Sequence, residues 1–150
     1  MSIKLSIPLN IKNKNGRIYT TEEFQRHIDE YMSKEFRFGT FLTNVDDETM
    51  ISIKYISHSI DNLYIKNNNL IVEITILDTP YGNILKQLYE NGTYIGISPC
   101  SFGYMDGEYA NIQSLETFAI VTMENDSFLI GNKLREYKLK KLKEYENTER

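Results

Sequence analysis

Apolar side chains recur along this chain with two different periods, and each change of period marks a new element. The opening "IKLSIPLNI" alternates and predicts a strand, with Pro8 at an edge or an end. Asn15-Gly16 then predicts a turn. In "TTEEFQRHIDEYMSKE" the apolar residues Phe24, Ile28, Tyr31 and Met32 share one helical face. Thr20 is the predicted N-cap, and Glu23 three residues later has the spacing of a capping box. Alternation returns in "TMISIKYISHSI", which predicts a strand with Ile51, Ile53 and Tyr55 on one face. On the other face are Ser52, Lys54, Ile56 and His58. "DNLYIKNNN" reads as turn residues around a short apolar piece, and "LIVEITIL" as a β-branched strand.

"DTPYGNILKQLYENG" predicts a short helix. Thr79 is its N-cap, Pro80 its first residue, and Asn91-Gly92 its stop. Ile84, Leu85 and Leu88 form the predicted buried stripe. "TYIGIS" predicts a strand ending at Ser98, and "EYANIQSLETFAIVTM" one or two more after the Asp106-Gly107 turn. The final "NKLREYKLKKLKEYENTER" has helical propensity but a thin apolar face, as a surface helix or a frayed tail would. No internal repeat or low-complexity linker interrupts the series. Strands outnumber the two inserted helices, which predicts an α+β fold or a helix-decorated barrel.

Composition adds bounds. With 150 residues, 41% hydrophobic and 25% charged, the chain fits one globular domain with a single core. It contains no apolar run long enough for a membrane span, and "MSIKLSIPLN" lacks the apolar core of a signal peptide. One cysteine permits no internal disulfide, so the expected compartment is cytoplasmic. That cysteine and two histidines are too few, at no recognisable spacing, for structural zinc, so no metal or cofactor is expected. Residues 131–150 hold seven basic and four acidic side chains, a surplus of three positive charges on an acidic body. A basic tail can touch nucleic acid, but mixed charges on a solvated helix are the simpler reading, and no specific nucleic-acid partner is expected.

Candidate chemistry is sparse. A hydrolase needs a nucleophile and a base, and the only histidines are His27 and His58. His27 beside Arg26 reads as a helix-surface residue, whereas His58 lies on a strand between Ser57 and Ser59. Ser98 follows Gly96 at a strand end, and Cys100 is a rival nucleophile or a small buried hydrophobe. No P-loop, GxGxxG or GxSxG motif is present. The acidic run Asp46, Asp47 and Glu48 lacks EF-hand spacing and reads as a solvated loop.

The order of the pieces is more specific than any one of them. "NKNGRIY" at Asn13–Tyr19, "ISIKYISHSI" at Ile51–Ile60, "ILDTPYGNILKQLYENG" at Ile76–Gly92 and "YIGISPCSFG" at Tyr94–Gly103 follow in sequence. "LETFAIVTMEN" at Leu115–Asn125 comes last. This series resembles the tailed-phage prohead core proteases of the T-even type, a family related to the herpesvirus assemblins. The resemblance spans roughly Asn13 to Asn125. It implies a small, mostly antiparallel β-barrel with a few surrounding helices over residues 1–130, followed by the charged tail 131–150.

It also implies a serine endopeptidase inside the procapsid, in the host cytoplasm. Scaffold or core proteins, capsid proteins and the enzyme itself would be its substrates. His58 matches the family's catalytic histidine and Ser98 its nucleophile. Where the family usually continues "G-I-S-S-R-G", this chain has "G-I-S-P-C-S", so Pro99 and Cys100 replace a serine and an arginine. Relatives place the third catalytic residue on the strand matching Leu115–Thr122. There the aligned positions hold Thr117 or Ala119, and the acid is Glu116, on the opposite face unless a bulge turns it. The T-even type cleaves after Glu in a Leu/Ile-x-Glu context, which "LRE" at Leu134–Glu136 and "LKE" at Leu142–Glu144 satisfy; so do "IVE" at Ile71–Glu73 and "LYE" at Leu88–Glu90. An alternative is a protease fold retained as a non-enzymatic core or scaffold-binding component.

Overall fold

Two asparagines reverse the chain at the centre of the larger sheet. Asn67 and Asn68 have φ of 52° and 60°, the left-handed pair that a two-residue type I′ hairpin requires. They join β3 (Ile56–Lys66) to β4 (Asn69–Ile76). The computed structural model describes residues 1–13, 16–41, 55–93 and 95–121. Within them the remaining elements are β1 (Ser2–Pro8), α1 (Thr21–Met32), β2 (Phe38–Thr40), α2 (Pro80–Glu90), β5 (Gly96–Asp106) and β6 (Tyr109–Val121). None of the helices among them is long and apolar enough to cross a membrane.

The strands form two antiparallel sheets, one ordered β1-β4-β3-β2 and one made of β5 and β6. The α+β class is as expected, but among the described residues the sheets do not close into a barrel. Instead, Phe41 just after β2 and Ile18 just before α1 reach β6 through isolated parallel bridges to Ile120 and Tyr109. Ile7, Leu70, Val72, Ile74, Leu85, Ile97 and Phe118 are buried in the common core. On the helix face Phe24, Ile28 and Tyr31 are buried as the periodicity predicts, and Met32 is half-buried.

Two strand expectations change. "DNLYIK" is not a turn: β3 runs through it by placing Asp61 in a bulge between Ile60 and Asn62. There the Asp61 carboxylate accepts hydrogen bonds from the hydroxyls of Ser59 and Thr75. β5 does not end at Ser98 but continues through Pro99 to Asp106. Of the one or two strands expected after the Asp106-Gly107 turn, there is one, β6.

Among the described residues β6 has only β5 as a ladder partner, and side chains serve much of its other edge. Glu23 accepts from the Ile112 N–H (2.8 Å), and His27 Nε2 donates to the Ile112 carbonyl (2.7 Å). Lys34 donates to the Leu115 carbonyl at 3.2 Å. Thus the capping box is only half formed. Thr20 accepts from Glu23 N–H, but the Glu23 carboxylate is drawn to the strand and to Arg26. His27 is accordingly half-buried rather than a surface residue.

Helix α2 starts as predicted: Thr79 Oγ1 accepts from Gly82 N–H at 3.0 Å, Pro80 follows, and Gly92 (φ 80°) ends it. Thr79 Oγ1 also donates to the Ile56 carbonyl at 2.6 Å, tying the helix to the start of β3. The buried face is Tyr81, Gly82 and Leu85, with Ile84 and Leu88 only half-buried.

Candidate active site

His58 enters the site from β3, where it pairs with Gly39 of β2. A β-carbon on Gly39 would lie 2.2 Å from His58 Nε2 and 2.3 Å from the Phe118 carbonyl oxygen. Glycine therefore lets the imidazole cross β2 and reach β6. There Nε2 lies 2.9 Å from the Phe118 carbonyl oxygen. Thr117 sews the same seam by donating to the Phe38 carbonyl at 2.6 Å.

The hydrogen bonds assign the tautomer of His58. A carbonyl only accepts, so Nε2 carries the proton. Burial pushes the His58 pKa down to about 4, while the bond to Phe118 and the charge of Asp61 pull the other way. The ring is neutral at pH 7, and its lone pair is on Nδ1. Ser57 Oγ, 2.8 Å away, therefore donates to Nδ1. Both residues are fully buried.

Ser98 is the third residue of β5, 5% exposed and opposite Ala119 of β6. The next pair is Pro99 with Phe118, whose carbonyl His58 binds. That carbonyl points away from β5, toward Gly39 and His58, so its partner is the imidazole rather than a ladder N–H. Ser98 and His58 thus arrive from different sheets at adjacent residues of β6. Neither ring nitrogen of His58 bonds Ser98.

Glu116 takes a different place from the one anticipated for a third catalytic residue. The necessary bulge exists: the ladder steps from Cys100–Thr117 to Ser101–Leu115, leaving Glu116 as the extra residue. Its carboxylate nevertheless accepts from Ser114 Oγ, and His58 is bonded by Ser57 and Phe118. Thr117 is committed to Phe38. Cys100 is half-buried and makes no disulfide.

One buried hydroxyl near this seam lacks a hydrogen bond of good geometry. The Tyr31 hydroxyl makes no hydrogen bond of good geometry among the described residues; burial raises its pKa to about 12, against the pull of the nearby Thr117 hydroxyl. Its ring packs edge-on against Phe118 with centroids 5.8 Å apart. Among the described residues no group of three or more His, Cys, Asp or Glu side chains could hold a metal ion.

With this geometry in place, the chain can be compared with known proteins. No family model matches the chain, and no curated protein does. Among solved structures, the capsid assembly protease gp21 of bacteriophage T4 superposes with a TM-score of 0.68. The match covers 79% of each chain at 15% identity.

The chain has the fold of a phage capsid assembly protease. In that protease fold, β3 and β5 bring His58 and Ser98 to β6, and sequence patterns had singled out both residues. Gly39, Ser57 and the Phe118 carbonyl were not singled out. "RFGTF" carries no motif, Ser57 is legible only as a neighbour of His58, and a main-chain carbonyl has no sequence signature. The tail 131–150, the acidic run 46–48 and residues 51–54 lie outside the described residues.

Proposed function

We propose that this chain is a serine endopeptidase of phage procapsid maturation, with Ser98 as nucleophile and His58 as general base. The observation that carries the reading is the convergence of these two buried residues on Phe118 and Ala119 of β6. It occurs in a fold shared with a capsid assembly protease. In the reaction His58 leaves the Phe118 carbonyl and presents an unprotonated Nε2 to Ser98. Ser98 Oγ attacks the scissile carbonyl while Nε2 takes its proton, and the imidazolium then protonates the leaving amine. Water repeats the cycle on the acyl-enzyme. Pro99 cannot stabilise the oxyanion, so Cys100 and Ser101 offer the next backbone N–H groups. No metal or other cofactor enters these steps.

The reading extends the likeness to the herpesvirus assemblins and takes capsid and scaffold or core proteins as substrates, inside the procapsid. A further substrate is the chain's own tail, cut after Glu136 or Glu144 by another copy. Mass spectrometry of chains from mature particles tests that step, and intact C-termini would end it.

A fluorophosphonate probe tests the nucleophile. The adduct should map to Ser98 and disappear in His58→Ala; labelling confined to another residue contradicts the assignment. The second reading is a protease fold kept as a core component without catalysis. It is favoured by one observation: both His58 nitrogens are already bonded, and neither bond goes to Ser98. Absence of both labelling and substrate cleavage would favour it.

A further inference from the structure

The structure assigns to Ser57 the place behind His58 that a carboxylate holds in a catalytic triad: we propose that its hydroxyl is the positioning residue for the catalytic imidazole. This rests on the Ser98–His58 reading above. Ser57 Oγ is 2.8 Å from His58 Nδ1, and both side chains are fully buried. The partner of the other nitrogen dictates what can stand there. In the resting arrangement Nε2 must donate to the Phe118 carbonyl, so a neutral ring needs a donor at Nδ1. An ionised carboxylate only accepts and would force the proton onto Nδ1, in conflict with the Phe118 bond. A hydroxyl serves both states.

For catalysis the ring must change tautomer. Nδ1 takes a proton from water, Nε2 gives one up to water, and Nε2 is then free to accept from Ser98. Ser57 rotates its hydroxyl from donating to Nδ1 to accepting from Nδ1–H. It holds the ring in orientation and later supports the imidazolium. This also explains why Glu116 can bond Ser114 without leaving the base unsupported.

The test compares wild type with Ser57→Ala, Ser57→Thr and Glu116→Gln on a peptide substrate, with Ser98→Ala as control. Ser57→Ala should lower kcat by about 10- to 100-fold with KM unchanged, the size of one lost orienting hydrogen bond. Ser57→Thr should recover most of the loss, and Glu116→Gln should change nothing. Nitrogen-15 NMR of the histidines supplies a readout that does not need turnover. In resting wild type Nδ1 should be the unprotonated nitrogen, and Ser57→Ala should move its signal in the direction of a lost hydrogen bond. In the fluorophosphonate adduct of Ser98, Nδ1 should carry a slowly exchanging proton that becomes fast-exchanging in Ser57→Ala. Unchanged kcat together with an unchanged Nδ1 signal in Ser57→Ala would overturn the assignment. Cleavage that persists in Ser98→Ala would overturn the underlying reading instead.

Discussion

His58 and Gly39 are paired across β3 and β2 so closely that the imidazole occupies the space a β-carbon on residue 39 would need. The same missing atom clears the way to the Phe118 carbonyl. Gly39→Ala should therefore destabilise the fold by about 1–3 kcal/mol, the usual size of an overpacked core position. Urea unfolding should show a lower midpoint with an unchanged slope. Full stability in this variant would mean that β2 does not hold His58 as described.

His58 should make stability depend on pH. Its folded pKa, about 4, is below its ordinary value of 6.5 because burial disfavours the charged ring. The unfolded chain therefore binds the proton first as pH falls. The contribution is fully present above about pH 6.5, declines below it, and is lost by about pH 4. Its size is roughly 3 kcal/mol at most. Unfolding free energies at pH 7, 5.5 and 4 should fall through this window in wild type and vary less in His58→Gln. Parallel curves for the two proteins would contradict a neutral buried His58.

Tyr31→Phe should be neutral or slightly stabilising, by up to about 1 kcal/mol. It removes a buried hydroxyl that makes no hydrogen bond of good geometry and leaves the ring packing on Phe118 in place. Thermal unfolding reads the difference. A loss of more than 1 kcal/mol would show that the hydroxyl is satisfied in solution.

Thr79→Ala should cost about 1–2 kcal/mol, because one hydroxyl both caps α2 at Gly82 and donates to Ile56 two residues before His58. Thr79→Ser keeps both bonds and should recover most of that stability by urea unfolding. Equal losses in the two variants would assign the effect to the methyl group instead.

The elements legible in sequence were those whose information is local. Thr79, Pro80 and Gly92 punctuate α2 through their own backbone chemistry, and alternation marks β4 from Leu70 to Ile76. The errors came where tertiary contacts override local signals. Asp61 and Asn62 resemble turn residues, but a bulge and hydroxyl partners on two strands keep them in β3. Pro99 resembles a strand end, yet the ladder continues through it opposite Phe118. Glu23 resembles half of a capping box, and its carboxylate instead reaches Ile112, 89 residues away in sequence. In the site, Ser98 and His58 could be chosen from motif order, whereas the support of His58 by Ser57 depends on which nitrogen faces Phe118. Nothing in the linear pattern encodes that orientation.

Ser98, activated by His58, is proposed to cut capsid-core substrates. Co-expression of a scaffold substrate with wild type, Ser98→Ala, His58→Ala and Cys100→Ala tests it directly. Cleavage should be retained in Cys100→Ala and lost in Ser98→Ala and His58→Ala, with all four proteins folded by circular dichroism. Cleavage that survives Ser98→Ala, or is lost only in Cys100→Ala, would rule out Ser98 as the nucleophile.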